Sequence, residues 1–469
     1  MKKRMLILML MFLVASITFS QETLVLIIDS GVDTAHNRLK PYLLPNDKEL
    51  NGAPGVDNDG NGYPNDVYGW NFIDNNSVLV NLDHTPPKYN DVLKFMEVLG
   101  KYQVGGRKAI GLKDYLWLKL KAFDSSFMNW VNFAGGWAHG THCAGIASVD
   151  SENIKIKGIT HIPAGEKPKA KFYDMIRNFR ATPATRNEQS DPMAELNAWF
   201  DQMATEAIEE IQAEAEYIGS LNPRVINCSF GSENQHLLML FKQVMVEELG
   251  ISNPSWVEVQ ELVNLFVTRV FLPRDKEFFK NVPNALIVIA AGNSSENNEN
   301  IVVSPNNVPL QNKLVVAATH EDKALAPFSC YGRTKVDVAV PGVNIYATYP
   351  NNKMGYMSGT SMAAPLASRY AAMVVSSNPQ LSAVDVKQIL MGTVDKKPWL
   401  FDKVRSGGVI NPDRAVYAAE LTKQGVELGQ AIAQSRREVE DKLPATRQAA
   451  PLPMFETQEE IDIYFSAIF

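Results

Sequence analysis

Uninterrupted apolar runs of strand length recur along the chain, each closed by small or polar residues. Residues 24–28 and 285–290 are of this kind, and 171–176, 225–228, 313–318 and 335–340 are read as further strands. Strands buried on both faces of a parallel sheet have this pattern, whereas strands with one wet face alternate. Between the runs, residues 192–218, 361–375 and 382–392 carry apolar side chains at helical spacing. Strand alternating with helix predicts an α/β fold with a central, mostly parallel sheet and helices on both faces. Two stretches interrupt the alternation and are expected to be helical insertions. Residues 75–138 show helical spacing at 91–99 and 112–127, parted by Gly105-Gly106, and Gly135-Gly136 reads as a loop leading into a helix. Residues 233–281 read as two helices split near Pro254. No internal repeat is visible.

The two ends differ from this middle. Basic residues 2–4 followed by the apolar run 5–19 read as a secretory signal peptide, too short to span a membrane comfortably, with cleavage before Gln21. The expected organisation is a signal peptide at 1–20, a catalytic unit at 21–420 and a charged helix with a Pro-containing linker at 421–469. A secreted or periplasmic location follows. The 469 residues are 45% hydrophobic and 21% charged, an ordinary globular balance. A net charge of -7 argues against nucleic acid or an anionic membrane as partner. Cys143, Cys228 and Cys330 sit in apolar or Gly-rich surroundings and are expected to be buried free thiols, not a disulfide framework.

Candidate chemistry lies where the apolar runs stop. Asp29 ends the first, with Asp33 four residues on, and Asn293 follows the run at 285–290. In open α/β sheets functional groups gather at such carboxyl ends. His139 and His142 lie one helical turn apart; as a metal pair they lack a third ligand nearby. Gly359-Thr-Ser361 opens a small-residue helix, and a hydroxyl at a helix N-terminus sits where free N–H groups favour developing negative charge. A bare Gly-Thr-Ser also reads as a simple N-cap. Asp57, Asp59, Asn61 and Asp66 space oxygen ligands as in the first half of a calcium loop, with Tyr68 where a bidentate Glu is expected. A metal-free loop rich in Asx turns is the alternative.

Four motifs in chain order resemble the subtilisin-like serine proteases, the subtilase family. They are Ile28-Asp-Ser-Gly-Val-Asp33, His139-Gly-Thr-His-Cys-Ala-Gly145, Ala290-Ala-Gly-Asn293 and Gly359-Thr-Ser-Met-Ala-Ala-Pro365. The resemblance implies a subtilisin-like fold and an exported serine endopeptidase. Asp29 would orient His139, His139 would act as general base and acid, and Ser361 would be the nucleophile. Asn293 with the Ser361 N–H would form the oxyanion hole. Ser229, Phe230 and Gly231 would line one cleft wall and Ala290, Ala291 and Gly292 the other. A protein or peptide substrate, a monomer, no cofactor for the chemistry and a structural calcium ion are the matching expectations. Members commonly carry a pro-domain after the signal; here the first strand follows too closely for one, and the insertions or the tail are expected to substitute. A silent scaffold on the same fold and a processing protease with one partner are the competing readings.

Overall fold

The computed structural model describes residues 22–164, 192–232, 234–247, 249–321 and 323–442. The signal peptide, the strand expected at 171–176 and the last part of the tail lie outside them. The strands are β1 (Thr23–Asp29), β2 (Gly69–Asn71), β3 (Ile154–Thr160), β4 (Val225–Cys228), β5 (Leu286–Ala290), β6 (Lys313–His320), β7 (Ala324–Leu325), β8 (Val338–Pro341), β9 (Ile345–Tyr349), β10 (Lys353–Met357), β11 (Asp395–Lys396) and β12 (Gly408–Val409). The main sheet runs β11-β12-β8-β6-β5-β4-β1-β3-β2, with β7 paired to β6, and β9 with β10 forms a separate hairpin. It is parallel from β12 to β2; β11 and β7 add antiparallel edges. The architecture is α/β, as the apolar runs predict.

The helices are α1 (Asp47–Asn51), α2 (Tyr89–Gly105), α3 (Leu112–Ala122), α4 (Ser125–Ser148), α5 (Pro192–Ser220), α6 (Asn234–Glu247), α7 (Trp256–Phe266), α8 (Leu272–Phe278), α9 (Thr360–Ser377), α10 (Ala383–Gly392), α11 (Pro412–Lys423) and α12 (Leu428–Glu438). Alternation within the strands splits the core. Val25 and Ile27 face α4 and α9, while Leu26 and Ile28 face Ile211, Ala215 and Ile218 of α5. Insertion one adds Val92, Phe95 and Phe127 to the first of these clusters, so it is fused to the main core. Most of insertion two packs in a separate cluster, in which Phe241 and Phe266 meet Phe200 of α5, while its Phe278 and Phe279 join the α5 side of the main core.

Three expectations are corrected. The helix read at 112–127 breaks at Phe123, because Asp124 caps a new helix by accepting from Phe127 N at 3.0 Å. That new helix, α4, runs without a break through Gly135-Gly136 to Ser148, where a loop was expected. Small side chains let it lie close on the sheet, and burial there outweighs the low helix propensity of glycine. Finally, insertion two, read as two helices, holds three, α6, α7 and α8. Beside β1 stands an unanticipated strand, β3, in register from Thr23↔Ile154 to Asp29↔Thr160. Its lysines hid it in the sequence.

Candidate active site

Register places the carboxyl ends of β1, β4 and β5 side by side, since Ile28 pairs with Cys228 and Cys228 with Ile289. Asp29, Ser229 and Ala291 leave the sheet there. Helix α4 crosses this edge closely enough to bring His139 to Asp29. The approach requires Gly140, where a Cβ would stand 2.3 Å from the Gly31 carbonyl oxygen and 3.0 Å from the Asp29 Cβ. Asp29 is fully buried, and its Oδ1 accepts from Ser30 N at 2.8 Å and lies 2.7 Å from His139 Nδ1. Its Oδ2 is buried with no hydrogen-bond partner among the described residues. Burial opposes charge on His139, but the Asp29 carboxylate outweighs it and holds the imidazole pKa well above the ordinary 6.5.

Cys143 joins the two halves of the site. Its sulfur lies 3.9 Å from His139 Nδ1 and donates to the Ser361 carbonyl at 3.4 Å. Burial pushes this thiol pKa up, so it stays protonated and is no nucleophile. All three cysteines are buried and free, as expected.

Ser361 is the second residue of α9, and the N-cap is Gly359, so the serine hydroxyl is not a capping group. Ser361 Oγ instead lies 3.2 Å from the Ser229 carbonyl oxygen, while Ser229 Oγ donates to the Ser361 carbonyl at 2.9 Å. Asn227 supports this bracket by donating to Ser229 Oγ at 3.0 Å. Asn293 Oδ1 accepts from both the N–H and the hydroxyl of Thr360 at 2.8 Å each. Gly292, at φ +110°, donates its N–H to Thr360 Oγ1 at 3.1 Å. The carbonyl of Ala291 is fixed by Asn298 at 3.0 Å and Asn306 at 3.1 Å. Asn227, Asn298, Asn306 and Thr360 were not among the candidates; Thr360, next to Ser361, and Asn227, two residues before Ser229, left a usable signal, and Asn298 and Asn306 left none.

The remaining candidates fall into place around this centre. Phe230 follows Ser229 and stacks on His161, whose ring also meets Phe278 of insertion two, both at 5.0 Å. Gly231 packs against the Ser304 carbonyl. Asp33 ties the β1 loop to the hairpin by accepting from Asn351 N at 2.9 Å. His142 is buried, reaches the Gly355 carbonyl at 3.3 Å, and burial pushes its pKa down to about 3, which keeps it neutral.

In the acidic loop, one oxygen each of Asp57 and Asp59 comes together with Glu49 of α1, within 4.8 Å of one another. The sequence missed Glu49 because it precedes the loop. Burial works against charge on Glu49, yet amide hydrogen bonds from Asn65, Asn58 and Asp59 lower its pKa. Asn61 and Asp66 are linked by a 2.9 Å hydrogen bond, and Asp66 also accepts from Asn46 at 2.8 Å and Tyr217 at 2.7 Å. The converging donors are hard oxygens, the chemistry of a calcium ligand set.

The subtilase family model matches residues 20–426. Subtilisin-like protease 1 of Plasmodium falciparum is 24% identical over 413 residues, covering 86% of this chain and 44% of that protein. Subtilisin DY of Bacillus licheniformis is 36% identical over 132 residues, 28% of this chain and 46% of that one. The chain thus spans less than half the length of these curated relatives. A solved cold adapted subtilisin-like serine proteinase is similar over 84% of this chain and 88% of its own, at 16% identity and a TM-score of 0.41. The family match covers all four motifs and every residue placed above, and the chain belongs to the subtilase family.

Proposed function

We propose that this protein is an exported serine endopeptidase that cleaves peptide bonds through an acyl-enzyme. The observation that carries the reading is the buried Asp29–His139 pair at 2.7 Å, joined through Cys143 to the backbone of Ser361. With Asp29 accepting from Nδ1, the proton sits on that nitrogen and Nε2 keeps a lone pair for general-base work. The Ser361 proton passes to His139 as Oγ bonds to the scissile carbonyl carbon. Negative charge then collects on the carbonyl oxygen. Thr360 holds Asn293 by its Oδ1, and the Asn293 amide nitrogen would donate to that oxygen in the transition state, together with the Ser361 N–H. His139 returns the proton to the amine nitrogen as the C–N bond breaks, and water repeats the sequence to release the acid.

No cofactor enters these steps. Glu49, Asp57, Asp59 and their neighbours would hold a structural calcium ion. A monomer with a protein or peptide substrate is the corresponding proposal, and export rests on residues 1–20. Among the described residues, no helix is long and apolar enough to cross a membrane.

A fluorophosphonate probe tests the reading. Wild type should be labelled and Ser361→Ala should not, with peptide hydrolysis lost in parallel by at least ~1000-fold. Folded wild type that resists the probe, or equal labelling of the variant, rejects it in favour of a silent scaffold.

A further inference from the structure

The end of the sheet opposite the proposed active site carries a concentration of positive charge. Lys313 opens β6 and Asp337 immediately precedes β8, so both stand at the amino ends of parallel strands. Asp29 and Ala290 stand at the carboxyl ends of β1 and β5. Around Lys313 lies an open pocket of about 520 Å³, whose charged lining is Lys313, Lys335, Lys387, Arg405 and Asp337. In a chain of net charge -7, four cations against one carboxylate need an explanation.

Asp337 does not neutralise them. It is buried and shared, with Lys387 at 3.1 Å, Arg405 at 3.5 Å and the Val315 N–H at 3.0 Å. The cations are otherwise tied to uncharged carbonyls. Lys313 donates to Asn306, Lys387 to Lys313 at 2.5 Å, and Arg405 to Thr334. Outside the lining, Glu299 accepts from the Thr334 N–H at 2.5 Å and the Thr334 hydroxyl at 2.6 Å and partly offsets the charge of Lys335, which leaves the cations of the pocket in excess. Burial lowers the Lys313 pKa, Asp337 partly restores it, and Lys387, Lys335 and Arg405 depress it further, to about 8. An ammonium held this far down is one that an additional negative charge would stabilise.

We propose that this pocket binds a small, multiply charged tetrahedral oxyanion, a phosphate or sulfate group with its attached remainder. The planar fork of Arg405 and the point charges of the lysines suit such a group, and the side-chain amides of Asn307 and Gln311 in the lining add neutral donors. The volume is many times the ~30 Å³ share of a water molecule, which leaves room for more than one phosphate. The pocket joins the start of β6, the segment leading into β8, α10 and the loop carrying Arg405, so an occupant would fasten four segments far from the catalytic cleft.

Calorimetry on the full-length protein tests this. Inorganic pyrophosphate is titrated at pH 8 and low salt, in two buffers of different ionisation enthalpy. The expected result is saturable binding, weakened at least ~10-fold in the Lys335→Ala/Arg405→Ala double variant, a loss of about 1.4 kcal/mol. Binding should also take up protons, because the anion raises the Lys313 pKa. Both substituted side chains are exposed; should the double variant nevertheless melt early, Lys335→Glu alone gives the same reading. Separate titrations with inorganic phosphate and inorganic sulfate identify the source by the tighter binder. No saturation up to about 10 mM, or unchanged affinity in the variants, overturns the proposal.

Discussion

His139 and Thr360 make different demands on an experiment. Because Asp29 raises the His139 pKa, the imidazole stays protonated, and useless as a base, to a higher pH than an ordinary histidine. The kcat/KM profile should therefore climb with pH through a midpoint above 6.5, and a midpoint at or below that value would count against the Asp29 attraction. Stability follows the opposite sign. The charged pair contributes fully below the unfolded histidine pKa, and the contribution disappears as pH rises through the higher folded value. A melting temperature that falls across that window in wild type but not in His139→Ala is the matching observation. Thr360 works through Asn293. Thr360→Val removes the hydroxyl that holds Asn293 Oδ1 and leaves the N–H bond. We expect kcat to drop on the order of 10- to 100-fold with KM little changed, less than the 100- to 1000-fold typical of losing an oxyanion donor outright. An unaltered kcat would show that the amide is positioned without it.

At the scale of elements, α4 packs tightly on the end of β1 through Gly140. Gly140→Ala would drive a methyl into the Gly31 carbonyl at 2.3 Å, backbone that has no room to yield. Overpacking of this kind costs ~1–3 kcal/mol, and here it also pushes His139 from Asp29, so stability and kcat should fall together. A melting curve and a rate measurement on one preparation check both. The same elements show what was legible beforehand. Strands β4, β5 and β6 are buried on both faces and announce themselves as apolar runs. β3 does not, because Lys155 and Lys157 interrupt it; the Lys157 ammonium escapes by reaching the Val67 carbonyl at 3.2 Å. The β9–β10 hairpin was passed over although its turn, Asn351-Asn352, has φ of 64° and 56°, the left-handed conformation asparagine tolerates. The Asp29, Ser361 and Asn293 positions were readable because each falls where a buried segment meets its turn, and His139, inside α4, was readable only from the motif His139-Gly-Thr-His-Cys-Ala-Gly145. The asparagine braces behind them were not, since a buried Asn carries no periodic signature.

For the molecule as a whole, the acidic loop gives a test that leaves the catalytic groups untouched. If Glu49, Asp57 and Asp59 hold calcium, a chelator should lower the melting temperature and excess calcium should restore it, by RT ln(1 + [L]/Kd) in free energy. Glu49→Gln should blunt that response, and a melting temperature indifferent to chelator would remove the metal from the account. The unbroken course of α4 bears on how the added segments can move. Residues 125 to 148 form one rod, with insertion one at its head and the imidazole of His139 on its shaft. A rigid rod cannot tilt at one end and stay still at the other. Whatever grips the outer end of that insertion therefore tugs on the proton-carrying ring, and a truncation aimed at residue 138 would saw through the shaft instead of unclipping an appendage.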